Sequence, residues 1–147
     1  MILNREEIEQ LLKWDSALDT GMAVIDQQHK VLIENFKLLL DRSREDRVAE
    51  ILQFLQNYVV EHFGHEEALH EETKYPGAEE HLEIHNAFIQ DFLKMKREYE
   101  ADEEQQRLIT LLKLIHTLTV WVKNHIMGMD QKFAAYYFDY ANGKEIE

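Results

Sequence analysis

Residues 48–69 read VAEILQFLQNYVVEHFGHEEAL, and their periodicity decides the fold. Val48, Leu52, Leu55, Val59, His62, Glu66 and Leu69 recur in steps of three and four, which keeps one stripe of an α-helix facing one way. Three other segments repeat these steps. They are Ile25, His29, Leu32, Phe36 and Leu39; then His81, His85, Phe88, Phe92, Met95 and Tyr99; then Leu108, Leu111, Ile115, Leu118, Val122, His125 and Met129. Four such stripes predict an all-α chain, an up-down-up-down antiparallel four-helix bundle around one seam.

The breaks agree with that count. Arg42-Ser43-Arg44-Glu45-Asp46 is a polar connection. Pro76-Gly77 ends the second helix and places Pro76 at the start of the third. Asp102-Glu103-Glu104-Gln105 reads as a capping box for the fourth. The expected organisation is one domain over residues 1–147. It comprises an N-terminal arm (1–21) with Trp14 against the bundle, the bundle itself (about 22–128) and a short C-terminal helix (about 130–140).

Composition removes several functions. With 16 basic and 29 acidic residues the net charge is −13, so nucleic acid and anionic membrane are poor partners. The absence of cysteine excludes disulfides, iron–sulfur clusters and thiol nucleophiles. No apolar run reaches the ~18 residues of a membrane span. The first residues lack a secretory pattern, so a cytoplasmic location is expected.

Eight histidines remain to be explained, and five of them sit where apolar residues belong. His29, His62, Glu66, His81, His85 and His125 occupy seam positions, with Asp130 just beyond. Burying such groups without partners is costly. In an antiparallel bundle all seven fall at the same end. His62/Glu66 and His81/His85 are i,i+4 pairs on one helix face. His125 to Asp130 is i,i+5, which an ideal helix would splay apart, so unwinding or a bulge around Gly128 is expected to turn Asp130 inward. Five imidazoles and two carboxylates exceed the needs of one ion and suit two, with iron, copper, nickel and zinc all compatible. His65, His70 and His116 lie off the stripes and read as solvated or edge residues.

In this order the motifs resemble those of the hemerythrin family, specifically the single-domain bacterial members. They are Ile25-Asp26-Gln27-Gln28-His29-Lys30, His62-Phe63-x-x-Glu66-Glu67, Tyr75-Pro76, His81-x-x-x-His85 and Trp121-x-x-x-His125-x-x-x-x-Asp130. The likeness runs from Trp14-Asp15 to about Tyr137. It implies reversible O2 binding at a non-haem di-iron centre, for storage, delivery or sensing, with no catalytic residues. One iron would take His81, His85 and His125, and the other His29 and His62. Glu66, Asp130 and an oxo or hydroxo group would bridge them. The second iron would keep one open place, within an apolar pocket of Leu32, Phe63, Trp121, Val122 and Ile126. Two positions depart from the family's habit: His70, commonly Met, and Val122, usually Leu. The alternatives are a di-iron oxidase or ferroxidase, and a sensor acting through a separate partner chain. Ferritin-like enzymes carry two Glu-x-x-His pairs; only Glu67-x-x-His70 is present here.

Overall fold

The computed structural model describes residues 5–146, with side chains described to residue 143. Residues 1–4 and 147 of the expected arm and domain lie outside the described residues. The helices are α1 (Arg5–Leu11), α2 (Ala23–Leu40), α3 (Val48–Glu72), α4 (Ala78–Ala101), α5 (Glu104–His125) and α6 (Gln131–Ile146). There is no strand among the described residues. Each of α2–α5 packs on two neighbours: α2 on α3 and α5, and α4 on α3 and α5. That is the square cross-section of an antiparallel four-helix bundle.

The core follows the stripes. Ile25, Leu32, Phe36, Leu39, Leu52, Leu55, Val59, Phe88, Phe92, Leu111, Ile115, Leu118 and Val122 are buried. Leu108 is an exception, exposed near the start of α5. Below α1, Ile8 and Leu12 join this core, and Trp14 packs against it while its Nε1 donates to Asp19 (3.0 Å).

The entry to α2 is held by Asp26, whose carboxylate accepts from Thr20 N (2.8 Å), Thr20 Oγ1 (2.7 Å) and Gly21 N (3.1 Å). Gly21 has φ 86°, a conformation that favours glycine. This knot sits three residues before His29 and sets the start of its helix.

The polar link after α2 stands, and three features beyond α3 differ from the sequence reading. The link after α2 consists of 3₁₀ turns over Arg42–Arg47, kinked at Arg44 and capped by Asp41, which accepts from Ser43 N (3.0 Å). Pro76 precedes α4 by two residues, and Gly77 is its N-cap. No capping box opens α5: its N-cap Glu103 makes no side-chain cap, and Asp102 accepts from Thr110 Oγ1 instead. Beyond α5 the chain runs without a break through Ile126–Asp130 into a C-terminal helix that reaches Ile146, longer than the sequence pattern indicated. α6 folds over one end of the bundle, where Met22, Ile25, Tyr75, Phe133 and Ala134 form a second apolar cluster.

No helix among the described residues is long and apolar enough to cross a membrane.

Candidate metal centre

His29, His62, Glu66, His81, His85, His125 and Asp130, drawn from all four bundle helices and the turn after α5, meet at one end of the seam, every one of them buried. His62 and Glu66 lie late in α3, His81 and His85 in the first turns of α4, and His125 ends α5. Asp130 reaches the group because Ile126–Asp130 is a π-helix. Its i→i+5 pattern adds a residue to the turn and brings positions five apart onto one side.

The ring nitrogens are sorted. Nε2 of all five histidines faces inward. Glu66 Oε1 lies 2.8 Å from His62 and 3.6 Å from His29, while Oε2 lies 3.5 Å from His81 and 3.6 Å from His85. Asp130 Oδ2 lies 3.1 Å from His29, and Oδ1 lies 3.2 Å from His81 and 3.3 Å from His125. Each carboxylate therefore turns one oxygen toward the His29–His62 side and the other toward the His81, His85 and His125 group.

Those contacts are not hydrogen bonds. Both oxygens of Glu66 and of Asp130 and both nitrogens of His29 are buried with no hydrogen-bond partner. The Nε2 atoms of His81 and His125 stand 3.0 Å apart, and those of His85 and His125 3.2 Å. Those two contacts can each share a proton, but carboxylate oxygens and ring nitrogens crowded so closely, most of them without a hydrogen bond, suit cations held among them. The site divides into Glu66, His81, His85, His125 and Asp130 on one side and His29, His62 and Glu66 on the other. Imidazole with carboxylate is a donor set for iron, and it fits.

Two outward-facing nitrogens are held by residues that seam reasoning did not single out. His62 Nδ1 meets Gln28 Oε1 at 2.7 Å, and His85 Nδ1 meets Glu67 Oε2 at 2.9 Å. Such partners fix the ring's orientation and tautomer. The signal for them was adjacency, since Gln28 precedes His29 and Glu67 follows Glu66.

The electrostatics follow the same division. Burial lowers the His29 pKa, but Asp130 and Glu66 overcome it and raise the group to about 9. Burial, and then His81 and His125, push His85 far below its usual range. Burial acts to raise both Glu66 and Asp130, and Asp130 adds to this at Glu66, yet the surrounding imidazoles hold both below the usual carboxylate range.

Leu32, Phe63, Trp121, Val122 and Ile126 line one small cavity with His29, His62, His125 and Asp130. Its volume is about 10 Å³, near the size needed for one water molecule. Val59 and Phe88 complete the wall. Their seam positions, three residues before His62 and three after His85, were the available signal.

Of the three histidines assigned to solvent or edges, His65 is exposed and His116 half-buried. His70 is the correction. It is 1% exposed, beneath Phe133 of α6 and beside Tyr75 and His81. The bundle stripe leaves its face open, and α6 closes it. Burial lowers its pKa to about 4.

Comparison with known proteins agrees with this geometry. The hemerythrin HHE cation binding domain family matches residues 20–137. The chain is 33% identical to a bacteriohemerythrin of Stenotrophomonas maltophilia (strain R551-3) over 128 residues, covering 84% of this chain and 80% of that one. It is 33% identical to a hemerythrin-like protein of Naegleria gruberi, covering 82% and 88%. It is 28% identical to a myohemerythrin of Theromyzon tessulatum, covering 86% and 94%. The protein belongs to the hemerythrin family, whose domain implies non-haem iron.

Proposed function

We propose that this chain binds O2 reversibly at two iron ions, one held by His81, His85 and His125, the other by His29 and His62, with Glu66 and Asp130 bridging. The observation that carries the reading is the division of each carboxylate, one oxygen toward each histidine group. A pair of ferrous ions here would supply two electrons to one O2 and take them back on release.

The protein's part is selective access. Two imidazoles against three leave the His29–His62 side one donor short. The small cavity lies against that side and is otherwise walled by hydrocarbon and aromatic rings. Apolar walls exclude the water and acids that would let reduced oxygen leave. Gln28 and Glu67 hold two imidazoles with their donor nitrogens inward. No acid or base other than the ligands lines the cavity, so binding is favoured over oxidase or ferroxidase chemistry.

Metal analysis and visible spectra test this together. Two irons per chain are expected, with an absorption band that appears with O2 and disappears when it is removed. One ion per chain, stoichiometric zinc from iron-replete cells, or a band that O2 removal leaves unchanged would overturn it.

A further inference from the structure

His70 is a buried imidazole that the proposed metal binding does not use. Both of its nitrogens are buried without a hydrogen-bond partner. So is His81 Nδ1, the nitrogen of a metal-facing ring that points away from the centre. The two rings touch, with centroids 4.5 Å apart and planes at 41°. Buried polar atoms in native proteins are almost always paired. Here three unpaired ring nitrogens, both of His70 and Nδ1 of His81, lie side by side. One N–H···N hydrogen bond between them would satisfy a nitrogen of each ring.

The rest of the His70 pocket orients the pair. A neutral imidazole has one donor and one acceptor nitrogen. The Phe133 and His70 rings are close to perpendicular, centroids 4.3 Å apart and planes at 76°. Phe133 has no donor that a His70 lone pair could accept from, only a π face for an N–H. It leaves the acceptor for His81. The backbone fixes the place. Tyr75 N donates to His70 O (2.9 Å) and Lys74 N to Glu71 O (3.2 Å), a Schellman ending of α3 that lays Tyr75 against His70.

We infer that His70 is a positioning residue, accepting a hydrogen bond from His81 Nδ1–H and so fixing the tautomer that presents His81 Nε2 to the metal. His70 does for His81 what Glu67 does for His85. Unlike Glu67 it is an uncharged acceptor sealed from solvent, so it orients the ring without adding negative charge. The inference rests on the di-iron reading for its purpose, but not for the bond itself.

The test reads both. In zinc-loaded protein labelled with ¹⁵N-histidine, a through-bond coupling between His81 Nδ1 and a His70 nitrogen is expected, with a slowly exchanging proton on His81. Absence of that coupling in the native chain overturns the inference. Should the protein take no metal, the di-iron reading falls, while the same spectrum of the metal-free chain still decides the bond. Iron release to a chelator supplies the functional arm. His70→Leu keeps the bulk and removes the acceptor, so release should quicken roughly 10–100-fold, the usual effect of losing such a partner. His70→Gln, with an amide acceptor, should recover much of the native rate. Native release from His70→Leu, or no recovery in His70→Gln, would overturn it.

Discussion

Trp121 lies flat on His125, ring centroids 4.5 Å apart and planes 12° apart, and it also stacks on Phe88 at 4.0 Å. The same two residues, Trp121 and His125, line both the inner cavity and an outer groove of about 530 Å³. One half-buried indole thus separates the proposed oxygen pocket from solvent. Trp121→Ala should open that wall. The expected result is faster oxidation of the O2 complex to the inactive ferric form, and a stability loss toward the lower end of about 3–5 kcal/mol, because Trp121 is only half-buried. Unchanged oxidation would place the access route elsewhere.

Val122 is buried in the cavity wall next to Trp121. An added methylene there competes for the little free volume beside the His29–His62 side. Val122→Leu should slow both spontaneous oxidation and azide entry and leave the iron content intact, since no ligand changes. Stopped-flow azide binding and oxidation half-times check it; equal or faster rates would remove this wall from control.

Metal removal should destabilise the fold. Without ions, four carboxylate oxygens and several ring nitrogens remain buried and unpaired, at about 1–3 kcal/mol for each unsatisfied group. Glu66→Ala and His125→Ala should lose iron, whereas half-buried His116→Ala should not. Melting curves of the iron-loaded and metal-free protein are the measurement, and coincident curves would contradict the expectation.

The metal-free protein should also be most stable near pH 6.5. His29, raised to about 9, contributes stability that is complete below 6.5 and lost as the pH climbs through 9. His70, lowered to about 4, works the other way: its contribution is complete above 6.5 and lost as the pH falls toward 4. Denaturant melts from pH 5 to 9 should trace a maximum, and His29→Gln should flatten its alkaline side. A monotonic profile would show that other groups dominate.

Gly128 stands inside the π-helix, but its φ is not positive and a Cβ there would meet nothing within 4 Å. The wide turn therefore does not depend on glycine. Gly128→Ala should retain iron and gain roughly 0.4–1 kcal/mol by restricting the unfolded chain. Loss of iron would mean that the turn needs glycine's freedom after all.

Much of this protein could be read without coordinates. Polar residues on an apolar stripe, such as His62 between Val59 and Leu69, stand out because burial forbids them without partners. Their placement at alternating helix ends follows from short connections alone. Other features were not legible. The stripe rule describes a helix touching the bundle on one side, so it overlooked His70, whose second side is covered by α6. It also counted Leu108 as core, although that position near the start of α5 is exposed. The tetrad at 102–105 looked like a capping box because spacing cannot show that Asp102 engages Thr110.

The sequence by itself determined the helices, their antiparallel order and the gathering of five imidazoles and two carboxylates at one end, because period and composition act through local geometry and burial cost. Only the tertiary structure decided which oxygen of Glu66 and Asp130 faces which histidine, how the π-turn delivers Asp130, and that Gln28 and Glu67 hold the rings from behind. Those are matters of side-chain rotamer and of contact between helices distant along the chain. A residue's rotamer is chosen by the neighbours packed against it, and for His70 and Asp130 those neighbours arrive from segments that no local pattern connects to them.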